Sequence, residues 1–150
     1  MIDSTPPGSQ SRRLEYQILD SFTGGNTAVR TLLSLMDIVE TTEIPTAAVE
    51  CVAVPRMLIN PEFVAVHANT PEKLLMLVMH ELHHVMLGHT SFFGNTTPID
   101  NLVFDAVINA MLCRMFPDAA HTSLFTRYYS HERFPACLLR PPPRWDPDAE

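Results

Sequence analysis

Apolar residues along this chain fall mostly into helical spacing and only briefly into β-branched runs. After a Pro/Ser/Gly-rich start over residues 1–10, expected to be loose, Leu14, Ile18, Leu19 and Phe22 mark a weak helical stripe between Ser11 and Phe22. Asn26 or Thr27 then caps a second helix that carries Val29, Leu32, Leu33, Leu35, Met36 and Val39 and runs out before Pro45. Both are support helices. The run Ala47 to Val54 and the shorter Met57-Leu58-Ile59, closed by Asn60-Pro61, predict a small strand pair. Pro55 is expected to keep one strand off the sheet interior, leaving an edge open. Such an edge either takes up an extended peptide as an added strand or is merely short and blunted.

Two longer helices follow. Thr70 as N-cap and Pro71 in the first turn open one over 71–88, with Leu74, Leu75, Leu77, Val78, Leu82, Val85 and Leu87 as apolar neighbours and Gly88 as its stop. Thr97-Pro98-Ile99-Asp100 reads as a capping box for the next, which runs to about Phe116, where Pro117 ends it. That helix is apolar almost all round, which predicts burial. Yet Asn101, Asp105 and Asn109 recur on it every fourth residue. A buried carboxylate needs a counter-charge, so Asp105 calls for a cation. A last helix is expected near 119–130, before a tail, 139–150, that includes Arg140-Pro141-Pro142-Pro143-Arg144-Trp145. The tail is either a disordered end or a polyproline segment read by a partner protein.

The stretch from Val78 to His89 holds four of the chain's seven histidines, and three of its residues form H-E-x-x-H: His80, Glu81 and His84. At about 100° per residue, His80 and His84 lie one turn apart on one face, where two imidazoles can grip one metal ion. Glu81 falls beside that face, within reach of a water on the metal without being a ligand. This is the metalloprotease arrangement, with His80 and His84 as zinc ligands and Glu81 as general base. Asp105 and His89 compete as third ligand. Asp105 is preferred because it already sits on a neighbouring helix, whereas His89 points away from His80 unless the helix breaks at Gly88. Asn101 and Asn109 are candidates to orient ligands, and His83 is read as structural. An oxyanion donor could come from Tyr128, Tyr129, His121 or His131, and the sequence does not choose among them.

Composition narrows the classes. A chain of 150 residues, 46% hydrophobic, forms one domain (11–138) with a real core. A formal net charge of −7, with ten Lys and Arg in no cluster, argues against nucleic acid and acidic membrane surfaces as partners. The apolar run of the histidine helix is too interrupted to span a bilayer. The start of the chain lacks a signal-peptide pattern, and Cys51, Cys113 and Cys137 are odd in number and far apart. Both features point to reduced thiols in the cytoplasm.

The motifs together resemble a family of bacterial domains assigned as metallopeptidases and often fused to a C-terminal von Willebrand A-like domain. That family pairs H-E-x-x-H-x-x-x-x-H, here His80 to His89, with N-x-x-x-D-x-x-I-N, here Asn101 to Asn109. The likeness reaches back through Leu58-Ile59-Asn60-Pro61-Glu62-Phe63, covering roughly 45–115, and it departs from the fused pattern because residue 150 comes too soon for a von Willebrand A domain. More loosely, the chain is similar to the gluzincin metalloproteases, in which an acidic third ligand comes from the helix after the motif helix. The resemblance implies a minimal zincin-like fold: α+β, mostly helical, with a small sheet edge and the H-E-x-x-H helix packed on a second buried helix. It also implies zinc-dependent hydrolysis of a protein or peptide substrate. A zinc-stabilised adaptor without catalysis, or another zinc hydrolase of amidase or deformylase type, would share the helix.

Overall fold

The computed structural model describes residues 8–21, 27–34, 36–50, 54–89 and 95–141. The fold is α+β and mostly helical. In chain order it comprises α1 (Gly8–Ser21), α2 (Thr27–Ser34), β1 (Asp37–Glu40), β2 (Ala47–Glu50), β3 (Arg56–Ile59), α3 (Pro61–His67), α4 (Pro71–Met86), α5 (Pro98–Met115), α6 (Ala119–Tyr128) and a 3₁₀ turn, Ala136–Leu139.

The H-E-x-x-H helix, α4, is the axis of the domain. Every residue from Leu74 to His83 is buried, and α1, β2, α5 and α6 all pack on it. A helix surrounded in this way must be apolar on all sides, which explains why the leucines around the histidines show no single stripe. Its start is set as the sequence implies. The Thr70 side chain accepts from the Lys73 N–H, and Pro71 needs no amide partner in the first turn. Its end is set by Gly88, whose φ of 71° is open to glycine and strained for most other residues.

The three-stranded sheet has the order β1-β3-β2, with β1 parallel and β2 antiparallel to β3. Two expectations change here. Residues 36–39 do not continue the second helix. Helix α2 stops at Ser34, and Ile38 and Val39, both β-branched, enter β1 beside Met57 and Leu58. Pro55 is not what opens an edge. It precedes the central strand, where its carbonyl accepts from the Asp37 N–H at 3.0 Å, and the edges are β1 and β2, neither of which has, among the described residues, a strand on its second side. Residues 51–53, the rest of the expected first strand, lie outside the described residues, as do 1–7 and the tail from 142 onward. Helix α1 starts at Gly8, inside the segment expected to be loose.

The short helix α3 follows the strand pair because Asn60 caps it. The Asn60 Oδ1 accepts from the Glu62 and Phe63 N–H groups, its Nδ2 donates to the Ile44 carbonyl, and Pro61 takes the first helical position. Helix α5 opens on the full capping box, with Thr97 and Asp100 bonding reciprocally. Contrary to the expectation of a helix buried all round, α5 is buried along one face only: Ile108, Asn109, Leu112 and Cys113 turn inward, while Ile99, Val103 and Val107 face solvent. Among the described residues, α5 packs on α4, on the turn at Ala136–Leu139 and on α6, and its buried residues lie on one face. Among the described residues no helix is long and apolar enough to cross a membrane.

Candidate metal centre

The two histidines of α4 meet Asp105 of α5. The Nε2 atoms of His80 and His84 are 3.2 Å apart, and the Asp105 Oδ1 lies 3.5 Å from the first and 3.1 Å from the second. Ligands about 2.0–2.1 Å from one tetrahedral ion stand roughly 3.3 Å from each other. The three atoms therefore have the separations that a single metal ion imposes. They converge because His80 and His84 share one face of α4, and the packing of α5 on α4 brings Asp105 across to them.

The protonation pattern supports the same fit. The Asn109 side chain is buried between two fixed partners, its Nδ2 donating to the Leu139 carbonyl at 2.9 Å and its Oδ1 facing the His80 Nδ1 at 2.8 Å. A carbonyl can only accept, so the amide orientation is settled and the Oδ1 must receive the Nδ1–H of His80. In the neutral ring the His80 Nε2 then presents its lone pair to the centre, as metal binding requires. Two imidazole nitrogens and a carboxylate oxygen at these distances need either shared protons or a cation between them. His80, His84 and Asp105 can hold a metal ion.

The charges report the same cluster. Burial by itself would raise the Asp105 carboxyl, but hydrogen bonds and charge from His80 and His84 outweigh it and hold the group well below the usual carboxylate range. Burial lowers His80, but the hydrogen bond to Asp105, the charges of Glu81 and Asp105 and the hydrogen bond to Asn109 together more than reverse that, so the ring is raised overall. Glu81 lies beside the cluster and is itself buried; burial pushes its carboxyl up to about 7, against the opposing pull of His80 and His84.

His89 sits outside the three-ligand group. The positive φ at Gly88 turns the chain back, so the His89 Nδ1 comes to 3.1 Å from the Nδ1 of His84, on the far side of that ring from its Nε2. Phe104, the residue before Asp105, stacks on the His89 ring at 3.8 Å. His89 is therefore placed to fix the His84 ring, as Asn109 fixes His80. His83 makes a structural bond, its Nδ1 donating to the Met79 carbonyl at 2.6 Å.

Around the ligands lies a cleft of about 270 Å³, walled by β2 at Ala47, by Phe63 and Phe125, and by Tyr128 and Tyr129 of the α6 end. Asn101 lines it as well, one turn before Asp105 and more exposed than Asn109. Of the four candidate oxyanion donors only the tyrosines reach the cleft. His121 pairs with Asp118 and stacks on Phe116, and His131 is exposed beside Glu132. The Tyr129 phenol is pushed far above its usual range, chiefly by burial and next by the Asp105 charge, so it stays protonated as a donor. Phe63, Ala47 and Phe125 carried no signal for the site in sequence, being ordinary apolar residues until the fold places them. A larger cavity of about 670 Å³, between α1, α3 and the start of α4, is lined by none of the ligand candidates.

No family model, no curated protein and no solved structure matches this chain. What the residues can do follows from their geometry.

The role of Asn109 can be measured apart from any substrate. Replacing it with Leu removes the acceptor for the His80 Nδ1–H and should weaken metal binding about 10- to 100-fold, the usual range for an outer hydrogen-bond partner. Competition with a coloured chelator reads this directly, and an unchanged affinity would show that His80 is oriented by packing alone.

Proposed function

We propose that this protein is a zinc-dependent peptidase in which Glu81 moves the proton. One observation carries the reading: three ligand atoms at tetrahedral spacing lie at the foot of a cleft whose wall is an open strand edge, with a buried carboxyl next to the ligands. His80, His84 and Asp105 would hold the ion, and two nitrogens with one carboxylate oxygen suit zinc and leave its fourth position open. When bound, the ion supplies Lewis acidity and makes water acidic near neutral pH.

The remaining steps belong to the chain. An extended peptide would pair with the outer side of β2, which among the described residues has no strand beside it, and this would set the carbonyl to be cleaved above the ligands. The Glu81 carboxylate takes a proton from the attacking water and delivers it to the leaving amine, a task suited to a buried carboxyl held beside the ligands. Tyr129, kept protonated, or Tyr128 beside it donates a hydrogen bond to the oxygen that gains charge. Phe63, Phe125 and Tyr128 make the cleft wall aromatic, which keeps water away and favours an apolar side chain next to the cleaved bond. Cys113 and Cys137 are free thiols, in keeping with a reaction in the cytoplasm.

The first test is stoichiometric. Protein purified without chelator should carry about one zinc per chain, because His80, His84 and Asp105 make one three-ligand set. Elemental analysis that found no metal, together with no binding on titration, would remove the basis of the peptidase reading.

A further inference from the structure

Helix α5 has a second face, turned away from the metal ligands. At about 100° per residue, Val107 lies on the side of the helix opposite Asp105 and Asn109. There Ile99, Val103, Val107, Met111 and Met115 recur every fourth residue, each between 38% and 71% exposed. Single exposed hydrophobic residues need no explanation. A continuous ridge of five along an 18-residue helix does, because soluble monomers rarely leave such a patch in water.

We propose that this ridge is the interface of a symmetric homodimer, in which two α5 helices pack antiparallel with Val107 on the two-fold axis. The occupant is read from the charges that flank the ridge, since apolar residues stand at equal spacing on both sides of Val107 and the acidic Asp100 and basic Arg114 lie equally far from it. A two-fold axis there sets Val107 against Val107, Val103 against Met111 of the second copy, and Ile99 against its Met115. Charge fixes the direction. Asp100 lies seven residues before Val107 and Arg114 seven after, each within about 20° of its bearing on the helix, so the same axis places Asp100 of one copy opposite Arg114 of the other, twice. Parallel helices would instead oppose Asp100 to Asp100 and Arg114 to Arg114. Antiparallel packing also sets each helix N-terminus beside a C-terminus, which the helix dipoles favour. The spacing of four makes the ridge a row of the kind that packs into the groove of a neighbouring helix.

The size of the surface sets the expected strength. Eighteen residues make a helix about 27 Å long and about 10 Å wide, a footprint of about 270 Å² per copy and about 540 Å² in total, below the size of stable interfaces and in the range of weak association. The dimer should therefore be weak, with a dissociation constant of about 100 µM or more. It leaves the cleft free, since Asp105 and Asn109 face the other way.

Sedimentation velocity on the full chain tests this. Wild type should pass from monomer towards dimer between about 10 µM and about 1 mM, the range that brackets such a dissociation constant. Val107→Glu and Val107→Lys should each be monomeric throughout, with association weakened at least about 100-fold by like charges meeting on the axis. Mixed in equal amounts, the two variants should pair again, because only across a two-fold axis at Val107 does Glu meet Lys. Arg114→Glu should weaken the wild-type dimer about 10-fold by facing Asp100. Circular dichroism and metal content should stay constant in all of them, since none of these side chains is buried. Three results would each overturn the proposal: a wild type that stays monomeric at the highest concentration, a dimer that survives Val107→Glu, or folded variants that fail to pair when mixed. The first would mean that a different protein covers the ridge.

Discussion

Glu81→Gln is expected to lower peptide turnover by about 10²- to 10⁴-fold, the usual contribution of a positioned acid–base group, while metal content and secondary structure stay as they were. Gln keeps the volume of the side chain beside His80, so the ligands have no reason to move. What it removes is the proton acceptor. The same change has a second consequence in the absence of metal, and its sign is opposite. Burial holds the Glu81 carboxyl near 7 rather than at its ordinary value of 4.5. Between those two pH values the unfolded chain has lost a proton that the folded chain still holds, so raising the pH favours unfolding, and the loss is complete only above the folded value. For chelator-treated protein at pH 8 the penalty is roughly 3 kcal/mol, from a rise of about 2.5 units. Glu81→Gln should relieve it, so the variant melts higher than wild type at pH 8 and equally at pH 4. Calorimetry across that range, beside turnover on a peptide library, measures both effects. Glu81→Gln supporting full activity in cells while His80→Ala abolishes it would mean that the metal is structural and the enzyme reading is wrong.

This exchange of stability for reactivity also explains which parts of the chain were readable in advance. The H-E-x-x-H spacing encodes its own geometry, since residues four apart on a helix share a face whatever surrounds them. The capping signals at Thr70 and Thr97 work in the same local way, and both appear in the structure where the sequence places them. Asp105 was legible for a different reason: a carboxylate on an apolar helix is a conflict that some partner must resolve. Tertiary context decided the rest. Ile38 and Val39 fit a helix or a strand, and only the arrival of β3 alongside selects the strand. The Asn60-Pro61 pair was itself a helix-start signal, an N-cap followed by proline at the first position, but it was read as the end of a strand. The apolar outer face of α5 suggested burial, yet among the described residues Ile99, Val103 and Val107 on it stay exposed. The aromatic cleft wall could not be read at all, because Phe63 and Phe125 meet only through the docking of α3 and α6 beside α4.

The third ligand gives the other large effect. Asp105→Asn should weaken zinc binding by more than about 100-fold, whereas His89→Ala should stay within the 10- to 100-fold of an outer partner. The ranking follows from which atoms face the centre. The Asp105 Oδ1 stands 3.1 Å and 3.5 Å from the two Nε2 atoms that point inward. The His89 Nδ1 lies 3.1 Å from the outward nitrogen of His84. Replacing the carboxylate with an amide keeps the shape but removes the negative charge that offsets the ion, and an amide oxygen is a much weaker zinc ligand. Removing His89 leaves all three inward atoms in place and frees the His84 ring to rotate, a loss of orientation rather than of a bond. Chelator competition on both variants ranks them directly. Cobalt in place of zinc adds a signature, since its visible spectrum should keep its tetrahedral intensity in His89→Ala and lose it in Asp105→Asn. The reverse ranking, with His89→Ala losing the metal, would transfer the third position to His89 and leave Asp105 as the partner of the two rings.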